Sequence, residues 1–116
     1  MDILVFEGQT VRDGMMGKAQ AWLAEHEKEL RSAAPDGSKY LGFYAPIFIS
    51  EKNPGDLYLV YTVDSYGALD VHAASSDSRW GELLNQWHTS FIDGSPGTLG
   101  RKILYKSLTA GTVWGE

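Results

Sequence analysis

Residues 57–63 read LYLVYTV, and from Leu57 to Tyr61 every side chain is apolar or aromatic. A strand with one face on helices and the other in water alternates apolar with polar residues. This one does not, and neither does Ile3 to Phe6, ILVF, near the start of the chain. Both runs are short and rich in β-branched or aromatic residues, which suits strands buried on both faces. Just before Leu57, Asn53-Pro54-Gly55-Asp56 is a strong turn signal, and Tyr40 to Ser50, YLGFYAPIFIS, supplies the other arm of a hairpin. Pro46 interrupts that arm. Having no N–H to donate, it assigns the strand to an edge or gives it a bulge at that point.

Helical patterns fill the gaps between strands. From Met15 to Ala33 the residues Met16, Ala19, Leu23 and Leu30 recur at helical spacing, with His26 in the same stripe. Asp13 and Gly14 read as its N-terminal stop and cap, and Pro35-Asp36-Gly37 as its end. Asp64 or Ser65 caps a short helix running through Ala74. After Ser76 and Asp77 a further helical segment carries Trp80, Leu83, Leu84, Trp87 and Phe91 on one stripe, and Arg101 to Leu108 closes the chain as a strand. The order β-α-β-β-α-β predicts an α+β fold of ferredoxin-like type, a four-stranded antiparallel sheet with its helices on one face. Helices cover one face only, yet the strands are oily on both. A second copy of the sheet is the simplest cover, so the expectation is a homodimer with sheets packed face to face. Residues 1–116 form one domain, with 109–116 as a C-terminal tail whose Trp114 is expected to dock.

The composition fits. One hundred and sixteen residues suit a single core. Ten Lys and Arg against fifteen Asp and Glu give a formal charge of -5, which disfavours nucleic acid or an anionic membrane as principal partner. With no Cys, disulfides, thiolate metal ligation and a cysteine nucleophile are excluded. No apolar run nears the roughly 20 residues that span a bilayer, and MDILVFEG lacks signal-peptide character, so a cytoplasmic location is expected.

The stretch Tyr61 to Leu84, YTVDSYGALDVHAASSDSRWGELL, resembles the dimeric α+β barrel superfamily, in particular proteins like the antibiotic-biosynthesis monooxygenases. The matching pieces are Asp64 after a strand, the helix Tyr66 to Ala74 with His72, the Ser75-Ser76-Asp77 break, and the helix holding Trp80 and Leu84. The resemblance implies a pocket between sheet and helices for a small hydrophobic or aromatic ligand, serving a cofactor-independent monooxygenase or an isomerase. The alternative it leaves open is a non-catalytic ligand-binding or structural barrel protein. Glu7 stands where the haem-degrading relatives favour an Asn, and Tyr61-Thr62-Val63 lacks their Trp, which disfavours haem breakdown.

The residues themselves supply three candidate acid–base groups. His72 and His26 titrate near neutrality and can act as general bases; a helix-capping or core role is the competing reading of each. Glu7 sits in an apolar neighbourhood and can exchange protons if buried, or be a solvated strand end. Three histidines on separate turns lack the i, i+4 spacing of a helical zinc pair, so no metal is expected, and the resemblance implies that no cofactor is used. Four Trp, six Tyr and four Phe are abundant for this length. Tyr44, Tyr58, Trp22 and Trp87 are the expected ligand-lining set, against the plainer reading that aromatic stripes are core. The loop Gly94 to Gly100 has neither the position nor the Gly-Lys-Ser/Thr ending of a phosphate loop.

Overall fold

A computed structural model describes residues 3–47, 57–74, 77–94 and 102–107 of the protein. The turn at 53–56, the loop 95–100 and the tail with Trp114 lie outside the described residues. The elements run β1 (Ile3–Gln9), α1 (Met16–Ala33), β2 (Ser38–Tyr44), β3 (Leu57–Val63), α2 (Tyr66–Ala73), α3 (Arg79–Phe91) and β4 (Lys102–Lys106). The sheet is antiparallel with the order β2-β3-β1-β4, so the two unbroken apolar runs are its centre, and β2 is an edge strand. This α+β arrangement is consistent with the ferredoxin-like expectation. The described residues hold three helices, since the second helical position of the β-α-β-β-α-β order is the expected pair of segments, and Ser65 and Ser78 each cap one of them, accepting hydrogen bonds from the N–H groups of Ala68 (3.2 Å) and Gly81 (3.3 Å).

The register assigns every strand side chain to a face. Ile3, Val5, Glu7 and Gln9 lie opposite Val63, Tyr61, Leu59 and Leu57, and this set faces the helices. Ile3, Val5, Leu59, Tyr61 and Val63 are buried with Leu30 of α1, Ala68 of α2 and Trp80 and Leu83 of α3. A second cluster, Val11, Ala19, Leu57, Trp87, Phe91 and Ile92, closes the other end. The opposite face carries Leu4, Phe6, Tyr58, Val60, Ile103 and Tyr105, with the ring of Phe6 edge-on to Tyr58 (6.4 Å) and Tyr105 (5.5 Å). No described helix covers it, and Tyr105 is 53% exposed.

Three boundaries differ from expectation. Asp13 does not cap α1: Gly14 adopts φ +75°, Met15 N–H bonds to the Arg12 carbonyl at 3.0 Å, and the resulting turn leaves Met15 at the cap without a side-chain bond. The irregularity in β2 falls between Tyr40 and Gly42, not at Pro46, which follows the strand. Gly42 has φ +147°, and a Cβ there would come within 3.3 Å of the Tyr44 ring, so glycine chemistry dictates where the strand bends. The closing strand spans Lys102 to Lys106, shorter than the run Arg101 to Leu108. No described helix is long and apolar enough to cross a membrane.

Candidate functional site

The polar groups on the helix side of the sheet gather at the middle of β1. Glu7 projects there because it keeps the two-residue period of Ile3 and Val5. Tyr61, diagonally across on β3, donates its hydroxyl to Glu7 Oε1 at 2.9 Å. Lys102, directly opposite on β4, brings Nζ to the same oxygen at 3.1 Å. Both of these contacts fall on Oε1, and the Glu7 side chain is 21% exposed.

His72 completes the group from above. The last turn of α2 lays its imidazole flat on the Tyr61 ring, centroids 4.2 Å apart and planes 5° from parallel, while Trp80 of α3 meets it edge-on at 5.2 Å. Burial pushes the His72 pKa down to about 4, outweighing the upward pull of Glu7, and Lys102 pushes the same way as burial. The ring is therefore neutral at pH 7. Burial also raises the Tyr61 phenol, and Glu7 beside it reinforces the rise, so Tyr61 stays protonated as a donor.

Two residues further along β1, Gln9 is buried and accepts a 2.7 Å hydrogen bond from the Trp87 indole N–H. Its Nε2 faces His88 Nε2 at 3.5 Å. The end of α3 is held to this region by the backbone: Arg12 N–H bonds to the Phe91 carbonyl (2.9 Å) and Asp93 N–H to the Thr10 carbonyl (2.8 Å). Burial lowers the His88 pKa against the pull of Glu7, whose charge thus reaches both histidines.

Of the other sequence-derived candidates, Trp87 touches this group through Gln9, and His26, Trp22, Tyr58 and Tyr44 have no hydrogen bond to it among the described residues. His26 donates Nδ1–H to the Trp22 carbonyl at 2.9 Å and stacks on the Trp22 ring at 4.2 Å, which is a helix-surface arrangement. Trp22 packs on Trp87 and Phe91. Tyr58 pairs with Gly8 and Tyr44 and so faces away from the helices, where it shares no wall with His72. Tyr44 and Trp87 do border a cavity, of about 90 Å³, together with Met16, Leu23, Phe43 and Leu57. That cavity is mostly apolar, with Gln20 as a polar side chain in its wall and no histidine or carboxylate. Among the described residues no group of three His, Asp or Glu is arranged to hold a metal.

Sequence reading named Glu7 and His72 singly and assigned no site role to Tyr61, Gln9, His88 or Lys102. The signal for Gln9 was present: it continues the odd-numbered face of β1. Lys102 becomes visible only with the β1–β4 register.

No family model and no curated protein matches the chain. Among solved structures, it is similar to the crystal structure of protein Atu4242 from Agrobacterium tumefaciens, a structural-genomics target. The TM-score is 0.52 at 16% identity, over 95% of this chain and 96% of that one. Two chains of near-equal length thus share a fold, and at this identity the likeness extends no further than that.

Proposed function

We propose that this chain is a ferredoxin-like, dimeric α+β barrel protein that binds a small hydrophobic or aromatic metabolite beside Glu7 and removes a proton from it without a cofactor. Glu7 carries this reading. Among the described residues its donors, Tyr61 and Lys102, both sit on Oε1, which orients the carboxylate and leaves Oε2 as the acceptor. The C–H proton passes to Oε2 and the electron pair remains on the substrate as an enolate. An isomerase returns the proton at another carbon; a monooxygenase delivers the electrons to molecular oxygen. Tyr61 and Lys102 position the carboxylate, and neutral His72 borders the reacting group. The sheet face of Phe6, Tyr58 and Tyr105 is the surface through which two copies would pair.

The test uses a carbon acid of the proposed class. In D2O, the protein should accelerate exchange of the α-protons of 2-tetralone, followed by proton NMR, and Glu7→Gln should reduce the acceleration by about a hundredfold. Equal rates with and without protein, or with Glu7 and Gln, would contradict the proposal. The second reading, a structural barrel protein without chemistry, is favoured by the cavity of about 90 Å³, which has no histidine or carboxylate in its wall and is well below the roughly 300 Å³ usual for small-molecule sites.

A further inference from the structure

We propose that the cavity under α1 is a binding site for dioxygen, held there as co-substrate of the reaction at Glu7. This deepens the proposed function toward its oxygenating arm and rests on its choice of Glu7 as base.

The space follows from one small residue. Met16, Ala19 and Leu23 share a stripe of α1 at i, i+3 and i+7, packed over Leu57 and Trp87. Ala19 is fully buried, and its methyl group reaches less far than the long side chains on either side. About 90 Å³ is left beside Phe43, Leu57 and Trp87. Voids of this kind cost stability, and native interiors keep few of them.

Size and polarity select the occupant. The volume is far below that of a metabolite site and suits a molecule of two or three heavy atoms. A trapped water needs about two to four polar partners. The side chains here offer few: Trp87 spends its N–H on Gln9 at 2.7 Å, the Tyr44 hydroxyl points to the Leu41 carbonyl at 3.5 Å, and Gln20 is exposed on α1. Apolar cavities of about 150 Å³ stay dry and take up xenon or benzene. A smaller one of the same character excludes the ring and admits an uncharged diatomic gas, which binds by dispersion alone.

The cavity wall also adjoins the strand that carries the base. Leu57 pairs with Gln9, and Trp87 is bonded to it; Glu7 is the next residue on that face of β1, about 7 Å further along. A small gas crosses such a layer through ordinary side-chain motion and needs no open channel. Once Glu7 Oε2 has taken the C–H proton, the enolate carbon bonds one oxygen atom of dioxygen. The carbon loses two electrons and dioxygen is reduced to the peroxide level. The terminal oxygen then takes the proton back from Glu7, giving an α-hydroperoxy ketone, and loss of water leaves a 1,2-dione.

Dioxygen is paramagnetic and serves as its own probe. Methyl NMR of the full chain under oxygen and under nitrogen should show relaxation of Met16, Ala19, Leu23 and Leu57 enhanced about threefold more than that of buried Val5 and Val63. With 2-tetralone and an oxygen electrode, Ala19→Val, which narrows the space, should raise KM for dioxygen about threefold at unchanged kcat and unchanged α-proton exchange. Met16→Phe narrows the same space from a partly exposed position and should act alike. Equal enhancement at cavity and control methyls overturns the site. Enhancement with an unaltered KM in both variants overturns the co-substrate role, as does α-proton exchange without dioxygen uptake, which leaves an isomerase. Enhancement without any exchange removes the reaction at Glu7 and, with it, the role given to the bound gas.

Discussion

Tyr61→Phe removes one oxygen from the centre of the candidate site and nothing from its packing. The lost bond is a 2.9 Å phenol–carboxylate contact, half-buried, between groups 54 residues apart. Hydrogen bonds to a charged group contribute about 1.5–3 kcal/mol. Lys102 remains on the same oxygen, so Glu7 is not orphaned and the lower end of that range applies. A loss of about 1.5 kcal/mol corresponds to a Tm lower by roughly 4–9 °C in a chain of this size. Urea denaturation followed by tryptophan fluorescence measures the loss, and a cycle with Glu7→Gln isolates the pair. The Gln amide still accepts from Tyr61 but carries no charge, so the coupling should be about 1 kcal/mol. Strict additivity, within about 0.3 kcal/mol, would refute the bond as a structural feature of the site.

Acid should destabilise the fold through His72. Its folded pKa, about 4, lies below the unfolded value of 6.5, so the unfolded chain binds the extra proton. Stability is then full above pH 6.5 and falls as pH drops toward 4. The full shift corresponds to about 3 kcal/mol, and part of the ring's exposure reduces this to about 2. His72→Phe should flatten urea midpoints between pH 4 and 6.5, and a wild-type protein with equal midpoints at pH 4.5 and 7.5 would contradict the burial argument. Tyr40→Phe should be neutral or stabilise by up to about 1 kcal/mol, because the Tyr40 hydroxyl is buried with no partner among the described residues. A loss above about 1 kcal/mol by the same assay would reveal a bond there. Gly42→Ala should cost about 1–3 kcal/mol, since its φ and the Tyr44 ring both oppose a Cβ, whereas Gly14→Ala meets open space and should cost less. Equal losses would refute the bulge argument. Tyr105→Lys, on the exposed sheet face, should shift a dimer to monomer in light scattering at unchanged far-UV circular dichroism. An unchanged mass would move the pairing surface elsewhere.

The fold was legible where a residue pattern maps onto one physical rule. Leu57 to Val63 is a strand that starts with the unbroken apolar run Leu57 to Tyr61 and ends two residues beyond it, and Pro35-Asp36-Gly37 does end α1. Errors arose where two rules competed. Asp13 is a good capping residue by type, but the positive φ of Gly14 turns the chain and passes the cap to Met15. Pro46 offered an edge strand or a bulge; β2 is an edge strand, and its irregularity lies at Gly42 instead. The site was half legible. Glu7 and His72 announce themselves as ionisable residues in apolar company, while Tyr61 reads equally as core. Lys102 and His88 join the cluster through strand register and through the Gln9 amide, neither of which short-range spacing encodes. Tyr58 and Tyr44 share a hairpin pair, but period-two geometry turns Tyr58 away from the helices, a fact that follows only once Val5 and Tyr61 are paired.

The choice between the polar cluster and the apolar cavity can be made on the unmodified protein. Titration of 2-tetralone into ¹⁵N-labelled protein should shift amides around Glu7, Tyr61 and His72. Shifts confined to Met16, Leu23, Phe43 and Leu57, with the residues around Glu7 unmoved, would mean that the ligand site lies under α1 and that Glu7 performs no chemistry.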